Sequence, residues 1–278
     1  MDAGQTRKHE DERHVDSRPA LLESRAPSYG TAYLRELHGC VAGMASALAS
    51  PSSQQVHICA DTRHGARVID LQFTPTLRAS ITERLASFEH TDDPREGLRP
   101  ASVVLALVGC PRSGETCFLL TERPATLNRH AGQFALPGGR LDAGETDLAA
   151  ALRELREELG LDPGEDSILG RLDDFPTRSG FRMRPFVTWI EDDSALAPDP
   201  VEVAHCYRVP LSDLLQPHVP ILRKAPYGEH PVLSIHMNSL DDEVHAPTAA
   251  VIYQFREVAL AGRSTRVSHF EQPRFAWC

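Results

Sequence analysis

The chain has 278 residues, of which 41% are hydrophobic and 24% are charged, and its formal net charge is -10. These values are ordinary for a globular protein with a buried core. The acidic balance argues against a nucleic-acid-binding or membrane-binding protein, because both need a basic surface. No apolar run is long enough for a membrane span, and no signal or transit peptide is indicated. We therefore expect a cytoplasmic protein.

The six cysteines contain no C-x-x-C pair and no spacing typical of a zinc site. We expect them to be free thiols in a reducing compartment. They are Cys40, Cys59, Cys110, Cys117, Cys206 and Cys278.

Residues 1–65 are predicted to form an N-terminal arm that is largely disordered. Residues 1–28 are polar, mixed in charge and without a hydrophobic period. Residues 32–49 have the spacing of a short amphipathic helix, and residues 50–65 are predicted to be a loop. No chemistry can be assigned to this arm from its residues.

The next elements are predicted to be a helix followed by a β-hairpin. The helix begins at Thr74-Pro75, where threonine can cap and proline suits the first turn. Apolar residues recur after it at helical spacing. Residues 102–108 and 116–121 are apolar strands, and the PRSGE sequence between them suits a hairpin loop.

Strands dominate the second half of the chain, with a short helix at 210–215 and a closing helix at 250–260. Strands on both sides of a central helix, with further helices at the ends, favour a mixed sheet held between helices. The predicted strands are 168–175, 182–190, 202–209, 219–222 and 232–236.

The central helix lies in residues 139–161, GRLDAGETDLAAALRELREELGL. Thr146 can cap its start, and Gly160 supplies a C-terminal stop. At 100° per residue, the leucines at 148, 152, 155 and 159 share one arc. The glutamates share another arc and are Glu154, Glu157 and Glu158.

This glutamate arc has two interpretations. Most acidic runs are solvated helix faces. Like charges three or four residues apart, however, repel each other on a helix, and a divalent cation would neutralise them. Clustered carboxylate oxygens are ligands that suit Mg²⁺ or Mn²⁺. Geometry alone leaves both interpretations open.

The sequence around this helix resembles the signature of the Nudix hydrolases, G-x5-E-x7-R-E-U-x-E-E-x-G-U, in which U is a bulky aliphatic residue. The resemblance implies an α/β fold, the Nudix-type α/β/α sandwich with a mixed β-sheet between helices. That domain would cover residues 66–263, leaving 264–278 as a C-terminal tail. The residues that fill the fixed positions are Gly139, Glu145, Arg153, Glu154, Leu155, Glu157, Glu158, Gly160 and Leu161.

The resemblance also implies cleavage of a nucleoside diphosphate linked to another moiety, with Mg²⁺ or Mn²⁺ as cofactor. The resemblance does not assign the catalytic base, since members of the family differ over which glutamate it is and sometimes place it outside this segment; the candidates within it are the three glutamates. Glu145 and Arg153 would pair and hold the loop against the helix. The implied metal-binding residues are Glu154, Glu158, Glu157 and the backbone carbonyl of Gly139.

Residues 119–139 resemble a second, narrower signature, LLTxR-[SA]-x3-R-x3-G-x3-FPGG, of the coenzyme A diphosphatase subgroup. Residues 177–187 and 245–252 resemble later segments of the same subgroup. The implied substrate-binding residues are Arg123, Arg129, His130 and Gln133.

Three positions depart from this narrower signature: Pro124, Asn128 and Leu136. Asn128 matters most, since the arginine expected there offers phosphate a charged fork that asparagine lacks. Arg129 stands next to it and can substitute.

The leading hypothesis is hydrolysis of coenzyme A or acyl-coenzyme A to 3′,5′-ADP and (acyl-)4′-phosphopantetheine. Asn128 keeps an alternative open, a related substrate such as ADP-ribose or a dinucleoside polyphosphate. A Nudix-shaped binding module without turnover is a third hypothesis, against which the clustered glutamates argue. The expected partner is a small-molecule nucleotide derivative, and the sequence is compatible with a homodimer.

Overall fold

A computed structural model describes residues 57–59, 67–125 and 132–277 of the chain. The strands in chain order are β1 (His57–Cys59), β2 (Arg67–Ile69), β3 (Arg99–Gly109), β4 (Thr116–Glu122), β5 (Phe134–Ala135), β6 (Gly138–Arg140), β7 (Ile168–Arg171), β8 (Phe175–Pro176), β9 (Phe181–Trp189), β10 (His205–Pro210), β11 (Ile221–Arg223), β12 (Val232–Met237) and β13 (Asp242–His245). The α-helices are α1 (Pro75–Ser87), α2 (Asp147–Leu159) and α3 (Thr248–Phe255).

These elements all lie in the unit Ser53–Cys278, one of two into which the chain divides. The other unit, Met1–Ser52, falls outside the described residues, and so do the helix expected at 32–49 and the polar stretch 1–28. The proposed domain boundaries therefore stay predictions. In the part of the chain that the structure describes, no helix is both long and apolar enough to cross a membrane.

Strand β3 is the centre of the main sheet, whose strand order is β10-β4-β3-β9-β7. It runs parallel to β9, from Arg99 opposite Phe181 to Leu107 opposite Trp189, and antiparallel to β4 and β6. Strands β5, β6 and β8 add short pairs to β4, β3 and β9, and β11-β12-β13 form a second, antiparallel sheet. The main sheet is therefore mixed, as predicted.

The alternation of side chains along β3 divides the apolar core into two layers. Val104, Ala106 and Val108 pack with the leucines of α2 on one face. The intervening residues 103, 105 and 107 pack on the other face with α1 and α3. The sheet thus lies between helices, and the predicted α/β/α sandwich is confirmed.

Helix α1 forms where its sequence predicts it. The Thr74 hydroxyl accepts a hydrogen bond from the Leu77 amide at 3.3 Å, and Pro75 occupies the first turn. The buried side chains are Leu77, Ile81 and Leu85, one helical face.

Two predicted elements differ from the structure. The expected loop at 50–65 contains β1, which pairs antiparallel with β2. Each of these strands has only three residues, which is too short to show a hydrophobic period in the sequence. The expected strand 168–175 breaks into β7 and β8. Asp173 lies in the break, where its carboxylate accepts hydrogen bonds from the Thr91 amide at 2.7 Å and from Gln254 Nε2 at 2.6 Å. A buried carboxylate needs hydrogen-bond partners, and the strand is interrupted between β7 and β8 where Asp173 meets its own.

The end of the chain also differs in detail from the prediction. The expected helix at 250–260 is α3 followed by a π-helical turn, Arg256–Leu260. Strand β13 was not predicted. The segment 264–277, expected as a tail, packs against the domain, and Val267, Gln272 and Ala276 are buried.

The expectation of free thiols is wrong for Cys110 and Cys117, which form a disulfide with their Cα atoms 5.7 Å apart. The hairpin brings them together, since Cys117 lies opposite Val108 in the β3–β4 ladder. This proximity depends on strand register, which the cysteine spacing alone does not reveal. Cys206 is a free thiol.

Candidate functional site

A cleft of about 930 Å³ opens beside the N-terminal half of β3. Helix α2 and strand β6 line it on one side, and β9 and the C-terminal segment also contribute to its wall. Five of the sequence-predicted site residues share this cleft with Gly139. They are Arg123, Gln133, Glu154, Glu157 and Glu158.

Helix α2 positions two of these glutamates. The Thr146 hydroxyl accepts a hydrogen bond from the Ala149 amide at 3.1 Å, and Gly160 ends the helix in the left-handed conformation at φ 71°. Leu155 and Leu159 anchor the helix in the core. Because side chains four residues apart lie one above the other, Glu154 and Glu158 project from the same face.

A third carboxylate joins them from outside the helix. One oxygen each of Glu154, Glu158 and Glu202 lies within 4.8 Å of the other two. Glu202 lies in the turn before β10, in place of the strand start predicted at that residue. We refer to these three glutamates as the carboxylate cluster.

Backbone hydrogen bonds hold the Glu202 turn against the end of α2. The Asp199 amide donates to the carbonyl of Glu158, and the Ala197 amide donates to the carbonyl of Leu159, both at 2.9 Å. The Ala204 amide donates to the carbonyl of Glu122 at the end of β4. The third carboxylate is therefore fixed by contacts to two elements distant in sequence.

The electrostatics of the cluster are unfavourable without a counter-charge. Glu158 is only 4% exposed, and burial, with the nearby Glu154 charge, raises its pKa to about 8. The Gly138 amide, which donates to Glu158 Oε2 at 3.2 Å, and the Arg123 charge act in the opposite direction. Burial also raises the pKa of Glu154, against a hydrogen bond from Arg153.

Two glycines allow the backbone to approach this cluster. A Cβ atom at Gly139 would lie 2.2 Å from Glu154 Oε1. Gly138 has φ 152°, and a Cβ atom there would lie 2.3 Å from the carbonyl oxygen of Ser102. A larger residue at Gly139 would displace the Glu154 carboxylate, and one at Gly138 would push β6 away from β3.

Arg153 connects the loop before α2 with the helix itself. Its Nε and Nη2 donate to the two oxygens of Glu145 at 2.9 and 3.0 Å, and Nη2 also donates to the carbonyl of Arg140. Its Nη1 donates to both Glu154 and Glu157 at 2.9 Å. Contact with Arg153 lowers the pKa of Glu145. This geometry is the pairing that the resemblance implied for Glu145 and Arg153.

Glu157 differs from the other two glutamates of the helix. Its side chain is 54% exposed and bonded to Arg153, whereas the Glu154 side chain is 13% exposed. Glu157 lines the cleft but lies outside the carboxylate cluster. Its role as a further metal ligand stays a prediction.

Arg123 follows β4 and lines the cleft. Its Nε is buried without a hydrogen-bond partner among the described residues. The Arg123 backbone is held by two hydrogen bonds, to the carbonyl of Gln133 and from the amide of Gly132. The predicted substrate-binding residues Arg129 and His130 lie outside the described residues.

The carboxylate cluster fits a hard divalent cation. Its donors are all oxygens, they converge, and two of them have raised pKa values because their negative charges are buried near each other. Mg²⁺ and Mn²⁺ bind such sites with help from substrate phosphates. The helix period predicted that Glu154 and Glu158 share a face, and the resemblance implied their role as metal ligands. Glu202 was missed, because no local pattern links it to the helix.

Comparison with known proteins gives one family. A family model described as the NUDIX domain matches residues 99–227. An uncharacterized Nudix hydrolase, NudL, of Cronobacter sakazakii is 39% identical over 119 residues, covering 42% of this chain. The chain spans 60% of the length of that relative.

A second NudL, from Klebsiella pneumoniae, is 33% identical over 147 residues, covering 52% of this chain and 70% of the relative. Among solved structures, a MutT/nudix family protein from Enterococcus faecalis has a TM-score of 0.43 and 15% identity. That match covers 68% of this chain and 75% of the other.

The raised pKa of Glu158 predicts how stability depends on pH in the metal-free protein. The folded state holds the Glu158 proton up to about pH 8, whereas the unfolded state releases it near 4.5. The free energy of unfolding should therefore fall as pH rises through this window. Glu158→Gln removes this contribution, so its advantage over the wild type should grow with pH. Thermal melts in EDTA from pH 4.5 to 8.5 measure the stability difference between the two proteins. A difference that does not change with pH would contradict the prediction.

Proposed function

The chain belongs to the Nudix family, and from this premise we propose that it hydrolyses the diphosphate bond of a nucleoside diphosphate derivative with a divalent cation. The observation that carries the proposal is the convergence of three carboxylates in one cleft with Arg123, whose Nε has no hydrogen-bond partner among the described residues. Carboxylates alone would repel a diphosphate. A cation together with an arginine would neutralise it.

Each residue of the site has a proposed role. Glu154, Glu158 and Glu202 would hold the cation. When bound, a divalent cation neutralises diphosphate oxygens and makes a water molecule more acidic. Arg123 would donate a charged hydrogen bond from its guanidinium group to a phosphate oxygen. Gly138 keeps Glu158 oriented through its amide.

Hydrolysis requires one water molecule and one proton acceptor. The water oxygen attacks phosphorus, the phosphorus–oxygen bond of the anhydride breaks, and the departing phosphate oxygen carries the negative charge. A carboxylate of the cluster takes the proton from the attacking water. Glu202 is the most exposed member of the cluster, and it therefore has the freest access to water.

The substrate we propose is coenzyme A or acyl-coenzyme A, hydrolysed to 3′,5′-ADP and (acyl-)4′-phosphopantetheine. The support for it is the sequence of residues 119–139, which resembles the coenzyme A diphosphatase signature. ADP-ribose and dinucleoside polyphosphates are the alternative, favoured by Asn128 at the position where that signature has arginine. A non-catalytic binding module is the third hypothesis.

We expect Glu158→Gln to fold and to reduce turnover of diphosphate substrates by about a hundredfold or more, because the cation loses a carboxylate ligand. Mg²⁺ should raise the melting temperature of the wild type more than that of the variant. Glu165→Gln, at an exposed glutamate that does not line the cleft, is the control and should behave as the wild type. A folded Glu158→Gln variant with a near-normal rate at saturating Mg²⁺ would remove the assignment.

Arg123→Ala should weaken substrate binding. A charged hydrogen bond to phosphate contributes about 1–3 kcal/mol, so KM should rise about fivefold or more. Arg123→Lys restores the charge without the planar fork and should recover only part of the loss. Arg112→Ala, in the exposed turn between β3 and β4, is the matched control. Steady-state kinetics measure all four proteins, and equal KM values for Arg123→Ala and Arg112→Ala would contradict the role.

The choice of substrate is tested at Asn128. We expect coenzyme A to be hydrolysed with a modest preference over dephospho-coenzyme A, which lacks the 3′-phosphate. Asn128→Arg should raise kcat/KM for coenzyme A more than for the dephospho form, because one charged hydrogen bond is gained. Equal gains on the two substrates would show that residue 128 does not contact the 3′-phosphate. Turnover of ADP-ribose with none of coenzyme A would favour the alternative.

A further inference from the structure

The cleft extends beyond the carboxylate cluster to a wall that the proposed chemistry does not use. Arg99, Phe181 and Trp277 contribute to it, and we refer to these three residues as the aromatic wall. They come from β3, from β9 and from the C-terminal turn Arg274–Trp277. No local pattern predicts that Arg99 and Trp277 share a site with the glutamates.

Strand register places the aromatic wall away from the cluster. Val103 of β3 lies opposite Gly138, whose amide binds Glu158, and Arg99 lies four residues earlier on the same strand. At about 3.3 Å per residue, this separation is about 13 Å. The sugar and base of a nucleotide can extend over such a distance when its phosphate lies at the cluster.

The guanidinium group of Arg99 lies over the ring of Phe181. The Arg99 guanidinium carbon lies 3.9 Å from the centroid of the Phe181 ring. Arg99 Nη2 also donates to the carbonyl of Ser179 at 2.9 Å, which fixes the guanidinium plane. Both side chains line the cleft, so a flat group entering it meets a rigid flat partner.

Trp277 is held in place by a hydrogen bond from its indole nitrogen to the protein backbone. Its indole Nε1 donates to the carbonyl of Gln272 at 3.0 Å, and that carbonyl also accepts from the Tyr227 hydroxyl at 2.9 Å. The Gln272 side chain is buried and accepts from the Arg178 amide at 3.0 Å. The only donor of the indole is thus satisfied inside the protein. Trp277 can therefore contribute to a ligand in the cleft only through its ring surface.

We propose that the aromatic wall binds the purine base of the nucleotide half of the substrate by stacking. Aromatic and guanidinium planes stack on nucleobases without needing base-specific hydrogen bonds. Three planar groups complement a planar base better than they complement a flexible aliphatic chain. This inference rests on the proposed function, since it names what the cleft binds beyond the diphosphate.

The first test compares two probes that differ only in the base. AMP carries phosphate, ribose and purine, whereas ribose 5-phosphate lacks the purine. The chain has two tryptophans, and Trp189 is 3% exposed and stacked on Phe73. Quenching by a ligand in the cleft therefore reports Trp277. We expect AMP to quench the fluorescence and to bind at least tenfold tighter than ribose 5-phosphate, and equal affinities would overturn the proposal.

The second test uses a matched pair of variants in the same turn. Trp277→Leu keeps apolar packing but removes the ring, and we expect the Kd for AMP to rise about tenfold or more with the Kd for ribose 5-phosphate unchanged. Phe275→Ala is the control, because Phe275 is 50% exposed, contacts His245 and does not line the cleft. Calorimetry gives each Kd, and thermal melts verify folding.

Each result has a distinct meaning. Equal weakening of AMP binding by Trp277→Leu and Phe275→Ala would attribute the effect to packing of the segment and overturn the proposal. Should Trp277→Leu not fold, Phe181→Leu tests the same wall from β9 with the same expected loss. If these wall variants hydrolyse diphosphate substrates with an unchanged KM, the aromatic wall does not bind the base, but the proposed function is still supported. If AMP binds in a base-dependent manner but no diphosphate substrate is hydrolysed, the proposed function is rejected and the aromatic wall is retained.

Discussion

Mutual repulsion of three carboxylates is the constraint on which the site depends. Glu154, Glu158 and Glu202 present oxygens within 4.8 Å of one another, and Glu158 is almost completely buried. Without a counter-charge, such groups tend to separate or to take up protons. Burial, with the charges of Glu154 and Glu202, raises the pKa of Glu158 to about 8. The surrounding elements must therefore hold the carboxylates together in the absence of a cation. That preorganisation lets the cluster bind a cation without further rearrangement.

Helix α2 is held by apolar contacts along its length and by charges at its start. Leu155 and Leu159 bury one face against the sheet. Arg184 of β9 donates to Asp147 in the first turn at 2.9 Å and to both oxygens of the buried Asp174. An ion pair this buried is costly to form but specifies one geometry, because any displacement of the helix leaves a charge without its partner. The glutamates on α2 are thereby fixed relative to β6 and β9.

Local pattern accounts for what could be predicted from the sequence. The hydrophobic period and the caps identify α1 and α2, and the position of Glu154 and Glu158 on one face follows from helix geometry alone. The broken strand at 168–175 and the position of Glu202 could not be predicted in this way. Both depend on hydrogen bonds between segments far apart in sequence, such as Asp173 with Gln254 and Asp199 with Glu158. The disulfide has the same origin, since it depends on β-strand register.

The two sites proposed in the cleft have different origins in the chain. Of the three glutamates proposed to hold the cation, Glu154 and Glu158 lie on one contiguous segment, residues 139–161, and Glu202 comes from elsewhere in the chain. The aromatic wall is assembled from β3, β9 and the C-terminal turn, and the contact of Trp277 with Gln272 depends on how the whole end of the chain packs. A short motif can specify cation binding because one helix supplies the spacing. We expect substrate choice to depend on packing between distant segments. For that reason the signature in residues 139–161 would not by itself determine which nucleotide derivative the cleft accepts.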